Sequence, residues 1–385
     1  MKLITFGVPA YNSQDYLEKC VNSLVVGGDE VEIIIVNDGS TDRTEEIALA
    51  FKEKYPNIVK VISKENGGSG SGGGDTSTAK NLYDSLEDAG FNVNPTLKSF
   101  YESSESGSGR PTNPAIEGGV LTGFPTGETP LSSYTNEVKD SYDSYDDAAL
   151  VVISRVGGEG FDLPRTMKTG NSIIDGAASM DDHYLELDQN EQDLLEDVSK
   201  NFDKVILIIN SSATMEIGFL DSESDNDETQ NDYDYASNVQ AALWIGGPGN
   251  TGVMALGRVL NGEVNPSGRT IDTYARDFSK DPTWANFSNN FDRFGNQYTY
   301  DGKNKLYFFV DYEEGIYVGY RYYETRGFTD GEDWYEENVV YPFGYGLSYT
   351  SFEWEVIDSS PNDNGVIPEN EEITITVRVT NTGDV

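Results

Sequence analysis

Short apolar runs alternate with helix-length amphipathic stretches over the first sixty residues. Residues 3–8 form an apolar run that ends at Pro9 and reads as a buried strand. Asn12 or Ser13 offers a side-chain cap for a following helix whose inner face would hold Leu17, Cys20, Val21 and Leu24. Residues 31–36 are nearly all β-branched, the signature of a parallel strand buried on both faces. A turn over 37–42 leads to a helix over 43–54, and residues 58–62 supply a third strand. The order β-α-β-α-β is half of a doubly wound, Rossmann-like sheet, an architecture that binds nucleotides at the carboxyl ends of its strands.

The alternation resumes after a glycine-rich stretch, Lys64-Glu-Asn-Gly-Gly-Ser-Gly-Ser-Gly-Gly-Gly74. Residues 78–89 place Ala79, Leu82, Tyr83, Leu86 and Ala89 on one helical face. Residues 148–156, 205–209 and 241–245 read as buried strands. Asp188 followed by Glu191 forms the pattern of a capping box, opening a helix with Leu194, Leu195, Val198 and Phe202 inward. A short helix over 252–260 follows. This order predicts an α/β sandwich with a mostly parallel sheet. Near the end, residues 371–380 alternate strictly, with Ile373, Ile375, Val377 and Val379 on one face of a half-buried antiparallel strand. The exposed edge of that strand is expected to fray or to associate.

Charge divides the chain at the same place. The 385 residues carry a net charge of −41. Residues 1–66 hold 7 Lys and Arg against 11 Asp and Glu, leaving 19 against 56 for the remainder. Such an excess repels nucleic acid and anionic membranes, so neither is an expected partner. Cys20 is the only cysteine, which excludes an internal disulfide. No stretch approaches the length of a membrane span, and the first apolar run is short for a signal peptide. A cytoplasmic location is the default expectation, with an exported parent open for the later segment.

The chemistry-bearing residues are few. Asp38 stands in a turn after the second strand, where it either contacts a nucleotide or shapes the turn while Ser40 or Thr41 caps the next helix. Asp225-Asn-Asp227 and Asp232-Tyr-Asp234 lie in an acidic stretch away from any strand end and read as a solvated loop, so no metal or cofactor is assigned. Glu159 stands between glycines in Gly157-Gly-Glu-Gly160, directly after a predicted strand, where it either makes only a polar turn or carries a carboxyl that can reach a neighbouring cleft and protonate a leaving oxygen. Tyr317, Tyr320, Tyr322 and Tyr323 either stack on sugar faces or pack an amphipathic segment, and packing is the preferred reading. His183 is the only histidine, which excludes a histidine triad or a zinc site of several histidines, and a surface or loop position is expected for it.

Two family resemblances organise these residues. Val8-Pro-Ala-Tyr-Asn12, Val36-Asn-Asp-Gly-Ser-Thr-Asp42 and Lys64-Glu-Asn-Gly-Gly68 resemble family 2 glycosyltransferases. The resemblance implies that the backbone at Pro9 and Tyr11 and the carboxylate of Asp38 once held the base of a nucleotide sugar. It also implies a later metal-holding Asp-x-Asp and an acceptor base, which this segment lacks. From about residue 69 the chain resembles the C-terminal part of family 3 β-glucosidases. The matching stretches are Val152-Ile-Ser-Arg-Val-Gly-Gly-Glu-Gly-Phe-Asp162, Tyr184-Leu-Glu-Leu, Val264-Asn-Pro-Ser-Gly-Arg269, Tyr312-Glu-Glu-Gly-Ile-Tyr-Val-Gly-Tyr-Arg-Tyr-Tyr323 and Tyr341-Pro-Phe-Gly-Tyr-Gly-Leu-Ser-Tyr349. This resemblance implies that Glu159 is the general acid/base, with Asp162 and Arg165 holding its loop, and that the substrate is a β-glucoside-like carbohydrate. The family's nucleophile is an Asp on a preceding (β/α)8 barrel, a fold of roughly 250 residues, for which the 158 residues before Glu159 leave no room. The tail resembles the first strands of a fibronectin type III-like domain, which needs about seven.

The expected organisation is therefore a transferase-like fragment over 1–66, a hydrolase-like α/β sandwich over 67–355 and a truncated β-sandwich over 356–385. The expected function is glycosidase chemistry that depends on a barrel supplied by another chain, with little activity from this chain alone. Nucleotide-sugar transfer and a non-catalytic product of a fused gene are the alternatives. The glycine-rich stretch reads as a crossover between the two patterns, with residues 58–62 standing in for the first strand of the sandwich sheet.

Overall fold

The structure, a computed structural model, describes residues 4–64, 79–103, 106, 115–117, 120–123, 126–155, 157, 163–169, 172–221, 238–286, 297–299, 306–308, 312–360 and 374–383. Contacts divide the chain into two compact units, Met1–Ala79 and Lys80–Val385.

In the first unit, strand β1 (Ile4–Ala10) leads through helix α1 (Leu17–Leu24) to β2 (Val31–Asp38), and helix α2 (Thr44–Lys54) leads to β3 (Val59–Lys64). The three strands are parallel in the order β1-β2-β3. The central strand alternates. Val31, Ile33 and Ile35 are buried, while Ile34 and Val36 are half-buried. Leu17 and Val21 of α1 and Ala48 and Phe51 of α2 share one core with the buried set. Both helices thus cover the same face, as consecutive right-handed crossovers dictate. Only one face of β2 is packed by its helices, where burial of both was expected. Cys20, expected inside, is exposed. The cap of α2 also differs from expectation. Asp42 Oδ1, not Ser40 or Thr41, accepts from the Thr44 N–H at 2.9 Å.

Strand β3 pairs with β2 from Ile33↔Val59 to Asp38↔Lys64. Its expected role as first strand of the second sheet fails, because among the described residues that sheet holds none of it.

The second unit opens with helices α3 (Leu82–Asp88) and α4 (Pro95–Glu102). A hairpin of β4 (Ala115–Glu117) and β5 (Val120–Gly123) and helix α5 (Asn136–Asp140) precede β6 (Ala149–Arg155). Strands β7 (Lys168–Thr169) and β8 (Ser172–Ile173) then precede α6 (Gln189–Asn201), β9 (Val205–Ser211) and β10 (Val239–Trp244). Strands β6, β9 and β10 form a parallel sheet in the order β10-β9-β6, with β9 central and Val205, Leu207, Ile208 and Ile209 buried. The predicted capping box of α6 is present. Asp188 Oδ1 accepts from the Glu191 N–H at 2.7 Å, and Glu191 Oε2 accepts from the Asp188 N–H at 2.9 Å. Leu194, Leu195, Val198 and Phe202 lie in the core with β6 and β9.

Beyond the sheet, helices α7 (Gly249–Gly252) and α8 (Met254–Leu260) return toward α3. Gly257 makes the closest approach, where an added Cβ would stand 2.2 Å from the Ser85 carbonyl oxygen. The Ser85 hydroxyl accepts from the Gly257 N–H at 2.9 Å and donates to the Val253 carbonyl at 2.7 Å. Strand β11 (Tyr274–Ala275), the hairpin β12 (Gln297–Thr299) and β13 (Leu306–Phe308), helices α9 (Tyr320–Asp330) and α10 (Glu332–Asn338) and strand β14 (Val339–Tyr341) complete the unit's α/β part. The chain closes with β15 (Phe352–Ser360) and β16 (Thr374–Asn381), an antiparallel pair. The apolar face of β16 was expected half-buried, yet Ile375, Val377 and Val379 are exposed, as are Trp354 and Val356 opposite them. Among the described residues each strand pairs only with the other. No helix among the described residues is long and apolar enough to cross a membrane.

Candidate active site

Strand β6 ends at Arg155, and the loop that carries Glu159 begins immediately after it. Glu159 and Asp162 lie outside the described residues, but both ends of their loop are described. The Arg155 side chain is fully buried. Its Nη1 and Nη2 donate to Glu191 Oε1 and Oε2 at 2.6 and 2.8 Å. Nε donates to the Tyr184 carbonyl at 2.8 Å, Nη2 to the Glu186 carbonyl at 2.5 Å and Nη1 to the Ser154 carbonyl at 2.9 Å. Burial opposes the guanidinium charge, but the Glu191 carboxylate more than offsets this and holds its pKa above the ordinary value. The carboxyl end of β6 is thereby riveted to the first turn of α6 and to segment 184–186.

The far end of the loop is fixed as well. An added Cβ at Gly157 would stand 2.8 Å from Leu163 Cδ2, so the loop's two ends pack against each other. Arg165 is buried with its guanidinium 5.7 Å from the Trp284 ring. Its carbonyl accepts from the Tyr184 N–H at 2.9 Å, and the Met167 N–H donates to the Asp182 carbonyl at 2.8 Å.

Ionisable groups crowd beneath this platform. Glu186 is pushed up to about 7 by burial and then by the neighbouring Glu216 charge. Asp188 is pushed up to about 7 by burial and then by Glu191. His183 was expected at a surface or loop position, and it stands in the loop between β8 and α6. It is half-buried, with Nδ1 3.0 Å from each Glu216 carboxylate oxygen, and the hydrogen bond to Glu216 raises its pKa. Its ring also packs 4.8 Å from that of Trp284. Only pairing with a distant carboxylate explains this burial, and no local pattern around His183 signals it.

The four tyrosines divide. Tyr323 is buried, and its hydroxyl donates to Asp281 Oδ2 at 3.2 Å. Tyr322 packs edge-on to Trp334 at 6.1 Å. Tyr320 and Tyr317 are exposed, with the Tyr320 ring stacked on Phe343 at 4.4 Å.

In the first unit, the residues of the transferase-like motif meet at the carboxyl ends of β1 and β2. Asn12 Oδ1 accepts from the Thr41 N–H at 2.9 Å, and Ser40 Oγ accepts from the Asn12 N–H at 3.0 Å. Thr44 Oγ1 accepts from the Ser13 N–H at 2.6 Å, and Asp42 Oδ2 from the Gln14 N–H at 3.2 Å. Asn12 itself has a positive φ of 46°, a backbone conformation that asparagine tolerates better than most residues. These polar side chains lace two loops together. Tyr11 is exposed beside them. Pro9 is the penultimate residue of β1 and Asp38 the last of β2, and their side chains lie outside the described set.

The Glycosyl hydrolase family 3 C-terminal domain matches residues 44–320. The chain belongs to that family. Glycosyl transferase family 2 matches residues 5–73, so the two matches overlap over 44–73. β-Glucosidase A of Butyrivibrio fibrisolvens is 30% identical over 316 residues, covering 78% of this chain and 32% of that protein. A β-glucosidase of Ruminococcus albus is 28% identical over 373 residues, covering 96% of this chain and 31% of that protein. This second alignment runs well into the transferase-like unit. Among solved structures, a β-glucosidase of Paenibacillus barengoltzii matches with a TM-score of 0.54 and 26% identity over 82% of this chain and 28% of that one. The family 3 chain described here thus spans about a third of the length of these relatives.

Proposed function

We propose that the second unit is the acid/base-bearing part of a family 3 enzyme that hydrolyses β-glucoside-like O-glycosidic bonds. The family match over residues 44–320, which contains Gly157-Gly-Glu-Gly160, carries this reading. In it, Glu159 protonates the departing glycosidic oxygen and then, as carboxylate, deprotonates the water that releases the sugar. Arg155 and Glu191 fix the strand end from which the loop departs. The nucleophile, an Asp on a (β/α)8 barrel in the family, is supplied from outside these residues, by a barrel in another chain or another part of a longer one. The isolated chain then has little activity. Its domains are the transferase-like fragment 1–66, the sandwich 67–355 and the opening strands of a fibronectin type III-like domain from 356, of which β15 and β16 would be the first hairpin. The test is hydrolysis of 4-nitrophenyl β-glucoside with and without the barrel region of a family 3 β-glucosidase added as a second chain. Turnover only in the mixture, lost in Glu159→Gln, supports the proposal, and equal turnover by Glu159→Gln refutes it.

A second reading rests on the family 2 transferase match over residues 5–73. The three parallel strands with their two covering helices stand, in this reading, for the first half of a Rossmann-like nucleotide fold. In this reading Pro9, Tyr11 and Asp38 retain contact with the base of a nucleotide sugar without transferring it. Saturable binding of a uridine diphosphate sugar, lost in Asp38→Ala, would support retention, and its absence in the wild type would remove it.

A further inference from the structure

We propose that His183, Glu216 and Asp277 form a binding site for one divalent transition-metal cation, with zinc the occupant best matched to the donors. The three residues come from separate segments: His183 from the loop between β8 and α6, Glu216 from the loop after β9, and Asp277 from the loop after β11. One donor atom from each lies within 4.8 Å of the other two. Glu216 is buried at the bottom, while His183 and Asp277 are half-buried, which leaves a solvent-facing side for a water or other ligand.

Donor chemistry selects the cation. One imidazole nitrogen and two carboxylates suit zinc, cobalt or manganese, whereas calcium and magnesium prefer all-oxygen sites. Two donors at about 2.1 Å from a shared ion stand about 3.0–3.4 Å apart. The 3.0 Å between His183 Nδ1 and the Glu216 oxygens already meets that spacing. Asp277 Oδ1 is engaged by the Ser279 N–H and hydroxyl at 2.8 and 2.5 Å, whereas Oδ2 stands 3.8 Å from the exposed Lys280 amine. The Trp284 ring beside the imidazole holds its plane.

Charge points the same way. Glu186 places a third carboxyl alongside, with Oε1 accepting from the His183 N–H at 2.8 Å. The Glu216 and Asp277 carboxyls on either side of the imidazole supply the negative charge that a divalent ion offsets.

The site can be read without any catalytic assay, and its test is independent of the proposed hydrolysis. The full chain, dialysed free of metal, is titrated with zinc chloride by calorimetry while the imidazole resonances are followed by NMR. Because His183 is the only histidine, those resonances report on this site alone. The expected result is one equivalent of zinc bound, with the imidazole signals shifted in step. Asp277→Asn should weaken binding by at least about tenfold, and His183→Ala should abolish it. Should His183→Ala fail to fold, the wild-type imidazole shift and Asp277→Asn decide. Resonances unmoved by zinc, or uptake unchanged in the variants because ions sit on the acidic surface, would overturn the proposal.

Discussion

Arg155 and Glu191 make a two-pronged ion pair, 2.6 and 2.8 Å long, with both side chains out of water. It joins the end of β6 to the start of α6, four residues before Glu159 in sequence. A buried pair of this kind is costly to break from one side, because the partner is left charged in an apolar setting. Arg155→Met should lower unfolding free energy in urea by about 3–5 kcal/mol. The double variant Arg155→Met with Glu191→Leu should recover most of that loss. Single and double variants of equal stability would show that the pair does not act as a unit.

Gly257 and Gly157 offer a contrast in what each can tolerate. The Cβ of Gly257→Ala would meet the Ser85 backbone carbonyl, which cannot move without separating α3 from α8. Overpacking of this kind costs about 1–3 kcal/mol. At Gly157 the nearest atoms belong to the Leu163 side chain, which can rotate away. Thermal unfolding should therefore show a clear loss for Gly257→Ala and a smaller one for Gly157→Ala, and the reverse order would contradict the packing described.

The stability of the second unit should fall as pH rises from about 4.5 to 7. Glu186 and Asp188 hold their protons up to about 7, against ordinary values of 4.5 and 3.8. A carboxyl raised in the folded state contributes stability that is complete below its unfolded pKa and lost as pH climbs through the folded one. His183, also raised, acts in the same direction above its ordinary 6.5. Melting temperatures measured across this range should decline, and Glu186→Gln should flatten the slope. A wild-type melting temperature that climbs steadily from pH 4.5 to 7 would contradict these assignments.

In the first unit, Thr44 is fully buried and its hydroxyl accepts from the Ser13 N–H. Thr44→Val keeps the shape but removes the acceptor of that half-buried donor, at about 0.5–1.5 kcal/mol. Urea denaturation of the first unit's transition measures the loss, and an unchanged midpoint would mean that the lacing of the two loops is incidental.

Local patterns carried the elements well. Period and capping signals marked β6, α6 and β9, because Asp188 and Glu191 satisfy each other within one turn. The two family resemblances were likewise readable from short motifs, and the hydrolase lineage holds over most of the chain. What was not legible depends on partners distant in sequence. His183 reads as a loop residue until Glu216 is brought against it from another segment. The half-open face of β2 follows from both helices choosing one side, which the β-branched run at 31–36 does not reveal. The pairing of β3 with β2, not with the second sheet, is likewise a long-range choice between two edges that the short stretch Ile58-Val-Lys-Val-Ile62 cannot specify.

The central claim is that Glu159 is the general acid/base. Its sharpest measurement is azide-dependent turnover of a dinitrophenyl β-glucoside by Glu159→Gln in the presence of a family 3 barrel. An activated leaving group needs no proton, so the variant should still form the glycosyl-enzyme, stall at the hydrolytic step and be accelerated by azide, giving the β-glucosyl azide. Wild-type turnover should be indifferent to azide. A Glu159→Gln complex that hydrolyses the substrate as fast as wild type, with no azide effect, would contradict the account.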